Sequence, residues 1–411
     1  MHSTPTTPPL LTVVILTRNR IERCLDCVKH TAHSIRHIPS RILTINNGGS
    51  PVPLPQTIDG VPCRLINMER NMGAAARNIA LTETNSELLL MLDDDAYIDQ
   101  ASIDAMITAF RSDSHIGAVA FQIENDNHEE SCLLPSVFHG CACAFRSKAL
   151  ARIGGYPSDF LYYGEEYSVA FRLYQAEYKI VMLNVGTKVR HARDTKGRNT
   201  NRIIRLLISN NIRLWFSSLP WRDISPVTSD TLKRYALVAK KEQSLFGYYA
   251  GLALLPVSII RGLRYRATLK ENIWNRISLL HHLEKAITML KTESTRDIVI
   301  CGVGKFPSLW LNLLTKRGFR VKAFLDHNSC WQNQFIRNIP VHVLNEQETL
   351  ESILPSLKTS NGQHLLFLAG LSSLSENKLW QIFLDKEANN ATSEVSDLLM
   401  DSHLSIHSSL S

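Results

Sequence analysis

The chain of 411 residues is poor in cysteine, with eight at irregular spacing, which excludes a disulfide scaffold. Cys24 and Cys27 form one C-x-x-C, but no second pair follows at zinc-ligand spacing and the motif falls in a helical pattern. Neither a zinc site nor a redox pair is expected, and a reducing cytoplasm suits the composition. Long apolar runs are also missing. The longest, Phe246–Ile260, has 15 residues with Pro256 inside it, short of the ~20 needed to cross a bilayer. The opening Met1-His2-Ser3-Thr4-Pro5 lacks a basic segment, and Leu10–Leu16 is only strand-length, so no signal peptide is expected. Charge of one sign is scarce: 45 Lys and Arg stand against 38 Asp and Glu, a net +7. That balance favours anionic ligands such as nucleotides, or a membrane surface, and is too diffuse for nucleic-acid binding. Internal repeats are absent.

What is present is alternation. Strand-like runs at Leu11–Thr17, Arg41–Asn46, Cys63–Met68, Glu87–Leu92 and Ile116–Gln122 are interleaved with helical patterns at Ile21–Ser34, Ala74–Thr84 and Ser102–Ser112. Such alternation predicts an α/β fold with a mostly parallel sheet, in which ligands bind beyond the carboxyl ends of the strands. From Asn199 to about Lys291 the pattern turns helical. Asn201–Phe216 carries Ile203, Ile204, Leu207, Ile208 and Ile212 on one face. Leu245–Ile260 is nearly all apolar and is followed by Arg261, Arg264 and Arg266. It reads either as a buried helix with a basic last turn or as an interfacial membrane helix. A second α/β unit begins near Arg296: strand Asp297–Ile300, the turn Gly302-Val303-Gly304, a helix from Pro307 to a C-cap at Gly318, strand Val321–Leu325 and a later strand His364–Ala369. The tail from Ser393 has seven Ser in 19 residues and reads as disordered. The expected organisation is therefore a domain over 1–225, a helical spacer over 226–294, a small Rossmann-like α/β domain over 295–388 and a tail over 389–411.

Three signals carry chemistry. Leu88-Leu89-Leu90-Met91-Leu92 delivers Asp93, Asp94 and Asp95 to the carboxyl end of an apolar strand. Three adjacent carboxylates raise one another's pKa unless a cation neutralises them, and hard oxygen ligands suit Mg²⁺ or Mn²⁺, which then holds a diphosphate. The plainer reading is a solvated acidic turn. Second, Gly164-Glu165-Glu166-Tyr167 opens a helix after the aromatic loop Phe160-Leu161-Tyr162-Tyr163. Acidic residues suit a first helical turn, and one of these could equally serve as a general base. Third, His191 ends the run Thr187–Arg190, just before the basic stretch Arg193–Arg198.

The ordered set Val13-Val14-Ile15-Leu16-Thr17-Arg18-Asn19-Arg20, Asn71-Met72-Gly73-Ala74-Ala75-Ala76-Arg77-Asn78, Asp93–Asp95, Ile153-Gly154-Gly155-Tyr156, Gly164-Glu165-Glu166 and His191 resembles family 2 glycosyltransferases of the GT-A fold, over about residues 10–225. The resemblance implies an inverting, metal-dependent transferase acting on a nucleotide-diphosphate sugar, with UDP- or dTDP-sugars as donors and a saccharide or glycolipid hydroxyl as acceptor. It implies surface polysaccharide or glycolipid synthesis at the cytoplasmic side of a membrane. By position it places Thr17 and Arg20 in the base pocket, Asn71 and Arg77 near base and ribose, and Asp93 and Asp94 in support of the nucleotide. Asp95 and His191 fall at the metal and Glu166 at the base, with Glu165 its rival because the family more often has Asp there. Asn46, in Asn46-Asn47-Gly48-Gly49-Ser50, replaces the Asp that usually contacts the nucleotide base.

The C-terminal unit resembles small Rossmann-like nucleotide-binding domains. Gly302 and Gly304 would let a phosphate approach the backbone, and Asp326, 22 residues on, lies at a ribose-contacting distance. The third glycine of that fingerprint is missing, so a degenerate interaction domain is an equal reading. Two other functions compete. A sugar-phosphate nucleotidyltransferase would carry a Gly-rich basic loop where this chain has Thr17-Arg18-Asn19-Arg20. A non-catalytic nucleotide-binding scaffold would rely on the second unit alone.

Overall fold

A computed structural model describes residues 8–125, 129–130, 137–192, 199–290, 297–344 and 366–369. Apart from residues 133–135, the chain divides into two compact units that part at Asn199/Thr200. The basic stretch Arg193–Arg198 and the serine-rich tail lie outside the described residues, as does the start of the strand expected at His364–Ala369.

The strands of the first unit are β1 (Leu11–Thr17), β2 (Ser40–Asn47), β3 (Thr57–Ile58), β4 (Val61–Met68), β5 (Leu88–Asp93), β6 (Ala96–Ile98), β7 (Ile116–Glu124), β8 (Glu129–Glu130), β9 (Ala142–Arg146) and β10 (Lys179–His191). They form one mixed sheet in the order β3-β4-β2-β1-β5-β9-β7-β10-β6, with β8 on β7. β4, β2, β1 and β5 are parallel neighbours; β9 runs antiparallel between β5 and β7. Its helices are α1 (Ile21–Ile35), α2 (Ile79–Glu83), α3 (Gln100–Ser112), α4 (Ser147–Arg152) and α5 (Glu165–Gln175). β1 and β5 read as unbroken apolar runs because both faces are covered. On one face Val13, Ile15, Leu90 and Leu92 pack with Cys27, Val28 and Ala32 of α1 and with Ile103, Met106 and Phe110 of α3.

Two registers position the chemistry. Leu16 of β1 is level with Asp93 of β5, so Thr17 stands beside the turn that follows β5. That turn reverses into β6, which pairs antiparallel with β10, and His191 lies opposite Ala96. Sequence neighbours of β5 and a histidine a hundred residues away thus meet at one point.

The helix expected over Ala74–Thr84 is instead a 3₁₀ turn, Gly73–Asn78, continued by the short α2. Tertiary ties override helix propensity here. Ala74 N–H donates to the carbonyl of Leu161 at 2.8 Å, Asn78 exchanges hydrogen bonds with the Tyr156 backbone at 2.7 and 2.8 Å, and Arg77 is turned inward.

The second unit contains α6 (Thr200–Ser218), α7 (Trp221–Lys241), α8 (Leu245–Ala253), α9 (Leu255–Arg264), α10 (Glu271–Ile277), α11 (Leu280–Leu290) and α12 (Pro307–Lys316), with β11 (Asp297–Cys301), β12 (Arg320–Asp326), β13 (Gln334–Ile336), β14 (Ile339–Val343) and β15 (Leu366–Ala369). Its sheet runs β13-β14-β12-β11-β15, parallel throughout except for β13. Of the two readings of Leu245–Ile260, the buried helix does not hold: the segment breaks between α8 and α9 with a 49° bend, and Phe246, Tyr249, Val257 and Ile260 are exposed.

Asp230 of α7 joins two parts of this unit. Its carboxylate accepts from the backbone N–H of Ser308 at 2.9 Å and from the Ser308 hydroxyl at 2.6 Å, capping the start of α12 from outside. Burial still pushes this carboxyl up to about 6, against the opposing pull of the Ser308 bonds. A carboxyl raised on folding stabilises the native state below its unfolded pKa and loses that contribution as pH rises through the folded value. Relative to Asp230→Asn, wild-type stability in urea unfolding should therefore fall as pH rises from about 4 to about 7. A gap in favour of wild type that widens with pH would refute the buried-carboxyl account.

Candidate active site

The three carboxylates at the tip of β5 are not a solvated turn. Each meets its own set of partners, with Arg20 shared between two of them. Asp93 is bonded by the guanidinium of Arg77, whose side chain is almost fully buried. Asp94, at 0% exposure, accepts from the Thr17 hydroxyl at 2.6 Å and from Arg20 Nε at 3.1 Å. Asp95 accepts from a second Arg20 nitrogen at 2.7 Å and lies 3.4 Å from His191 Nε2, with Arg23 at 3.8 Å. Cations from the ends of three other segments thus do part of the neutralising that the sequence assigned to a metal.

Environment separates the carboxylates electrically. Burial pushes Asp94 up to about 7, although Arg20 and Thr17 pull it down. Asp95 is also buried, but its bond with His191 and the charge of Arg20 outweigh desolvation and hold it below the usual carboxylate range. One acid is thus poised near neutrality beside one that stays ionised.

Asp93, Asp95 and His191 each offer a ligand atom, and these atoms lie within 4.8 Å of one another. Asp95 Oδ1 is buried, and its nearest cationic neighbour is His191 Nε2 at 3.4 Å, so a cation could be held between the two. Carboxylate oxygens with one imidazole fit Mg²⁺ or Mn²⁺.

A wall of amides stands beside this cluster. Asn71 Oδ1 accepts from Asn47 Nδ2 at 3.1 Å and from the Tyr162 hydroxyl at 3.2 Å. Asn47, which the sequence reading passed over, also donates to the Gly73 carbonyl and accepts from Met72 N–H, so it fixes the entry to the 3₁₀ turn. Its signal was an asparagine at the tip of an apolar strand. Asn46 is buried, and its amide ties the Asn46–Ser50 loop to itself and to Asn67 at 2.9 Å. The structure brings Asn46 to the strand tips as a loop-former.

The two glutamates diverge. Gly164, in the left-handed region at φ +90°, supplies the turn before α5 that only glycine takes without strain. Glu165 then faces inward, 8% exposed, with Oε2 unpartnered. Burial, with Glu166 beside it, raises its carboxyl well above the ordinary value despite the pull of Arg77. Glu166 is half-buried and accepts from Gly164 N–H at 3.1 Å.

Cys24 and Cys27 are free and buried. Cys27 donates to the carbonyls of Asp93 and Ala96, and burial raises both thiols, Cys24 to about 11. The pair is structural packing under the β5 turn. In the second unit, Gly302 and Gly304 both adopt left-handed backbone, and Asp326 accepts from Val303 N–H at 2.8 Å and from Asn328 N–H at 2.8 Å. The expected trio therefore meets at the tips of β11 and β12, with the Asp326 carboxylate engaged by loop amides.

Residues 12–154 match the model of the family described as Glycosyl transferase family 2. They form a family 2 glycosyl transferase domain. The sheet around them is α/β, as expected from the sequence, but mixed where a mostly parallel one is expected, because β9 runs antiparallel between β5 and β7 and β6 antiparallel to β10. A Bacillus subtilis (strain 168) protein named "Uncharacterized glycosyltransferase YwdF" is 30% identical over 98 residues, 23% of this chain and 36% of that protein. The match thus spans about a third of that relative's length. Among solved structures, GalNAc-T7 with UDP, GalNAc and Mn²⁺ is 13% identical over 55% of this chain and 52% of its own, with a TM-score of 0.44. Staphylococcus aureus TarS 1–349 is 13% identical over 68% and 86%, also at 0.44. Likeness that distant bears on neither site nor substrate.

If Asp93, Asp95 and His191 form one cation site, calorimetry should detect a single Mn²⁺ equivalent bound to the full chain. Asp95→Ala should abolish it without lowering the melting temperature by more than a few degrees. Unchanged Mn²⁺ affinity in that variant would remove Asp95 from the site.

Proposed function

We propose that this chain is an inverting glycosyltransferase that moves a sugar from a nucleoside-diphosphate donor to a hydroxyl of a saccharide or glycolipid acceptor, in surface polysaccharide or glycolipid synthesis on the cytoplasmic side. The observation that carries this reading is the partition of Asp93–Asp95 among Arg77, Thr17, Arg20 and His191 at the carboxyl ends of parallel strands, where α/β sheets bind their ligands.

Roles follow from position. Thr17, Arg20, Asn46, Asn71, Arg77, Asp93 and Asp94 line the donor side, with a UDP- or dTDP-sugar as the expected donor. Asp95 and His191, with Asp93, are the residues that would hold Mg²⁺ or Mn²⁺. A cation bound there would offset charge growing on the diphosphate leaving group. Arg20 bridges Asp94 and Asp95 with its side chain 38% exposed, so an arriving diphosphate can draw it away from the carboxylates.

Glu166 is the general base. It is the more accessible of the two, whereas burial raises the Glu165 carboxyl well above its ordinary value, which disfavours the ionised form a base needs. Glu166 accepts the proton of the acceptor hydroxyl as its oxygen forms the bond to the anomeric carbon and the nucleoside diphosphate leaves from the opposite face. One displacement with one base inverts the centre. Glu165 is a positioning residue whose neighbour Arg77 holds Asp93.

With Mn²⁺ and a panel of nucleotide sugars, the full chain should release nucleoside diphosphate, more so with a competent acceptor. Release of pyrophosphate from a sugar phosphate and a nucleoside triphosphate would instead establish a nucleotidyltransferase. Glu166→Gln should lower turnover by a factor on the order of 10²–10⁴ with little change in donor affinity. Glu165→Gln should cost less, and the reverse order at equal donor affinity would exchange the two roles.

A further inference from the structure

We infer that the outer face of α8 and α9 docks on an anionic phospholipid bilayer, lying in its plane.

The pair is inverted relative to an ordinary surface helix. Its small residues face the protein: a Cβ on Gly247 would fall 2.3 Å from the carbonyl oxygen of Asn201, one on Gly251 would meet Ile208 at 2.9 Å, and one on Gly262 would meet the carbonyl oxygen of Arg213 at 2.6 Å. Glycine is required at these points because the backbones of α8 and α9 press directly on α6. Its large residues face solvent. Phe246 is 79% exposed, Ile260 65% and Tyr249 63%, and Leu254, Val257 and Leu263 continue the same surface. Single exposed apolar residues are ordinary, but a continuous row opposite a glycine face is not. Core packing does not explain it, because the core side of both helices holds glycine and serine instead.

The same segment decides how lipid would be met. Together the pair has the length and composition of a membrane span, yet it is bent by 49°, and both halves are fastened along one side to α6. A helix so fastened can lie on a bilayer but cannot cross it. Charge selects the lipid. Between Gln243 and Lys270 the sequence has no Asp or Glu, while Arg261, Arg264 and Lys270 are exposed at the end of the apolar row. Such cations are drawn to anionic headgroups and can extend their stems over the apolar face. A second copy of the chain would instead bring like charges together.

Full-length chain should sediment with mixed phosphatidylcholine–phosphatidylglycerol vesicles, less with phosphatidylcholine alone, and less again at high salt. Phe246→Gln combined with Ile260→Gln should lower partition about tenfold or more. Both side chains are exposed, so the melting temperature should hold. Arg261→Glu with Arg264→Glu keeps the apolar row and should abolish the preference for phosphatidylglycerol. Undiminished sedimentation of both variants, absence of wild-type sedimentation with either vesicle, or a dimer in light scattering that Phe246→Gln dissociates would each overturn the assignment. Vesicle binding requires no turnover, so its failure is distinguishable from failure of the transferase reading.

Discussion

Three consecutive carboxylates, two of them buried, cannot share one point unless partners offset their charge, and the first unit is organised around supplying those partners. β1 brings Thr17 level with Asp94, and the residues just after it bring Arg20. The 3₁₀ turn gives up regular helix to turn Arg77 toward Asp93. β10 runs on to pair with β6 and so delivers His191 to Asp95. Buried charges are retained in proteins at a cost in desolvation, so an arrangement of this kind signals a use for charge more than a gain in stability.

That use is best met by a ligand that is itself charged. Arg20 is shared between two acids, Asp95 Oδ1 has only His191 at 3.4 Å, and burial pushes Asp94 up to about 7. A diphosphate with a divalent cation would complete each of these. The glutamates on α5 show the same logic at smaller scale: one step along the helix separates a buried carboxyl, raised well above its ordinary value, from a more accessible one. Here burial, not residue type, sets the two carboxyls apart.

Most of the strands and the carboxylate cluster were legible because parallel strands buried on both faces leave unbroken apolar runs, and whatever follows them is exposed to the ligand side. The pairing of each carboxylate was not legible, since it depends on register between β1 and β5 and between β6 and β10. Asn47 escaped notice because an amide that braces a turn has no spacing of its own. The helix pattern at Ala74–Thr84 failed where Asn78 and Ala74 take partners outside the segment. In the second unit, Leu245–Ile260 was apolar enough to suggest burial; the glycines at 247, 251 and 262 held the information that its large side chains face outward.

The most direct test of the central claim is anomalous scattering at the manganese edge from crystals of the full chain grown with Mn²⁺ and a nucleoside diphosphate. The account predicts one strong peak among Asp93, Asp95 and His191, with the diphosphate against it and Arg20 withdrawn from at least one carboxylate. A peak at another site, or a diphosphate bound elsewhere while Arg20 keeps both carboxylates, would contradict it.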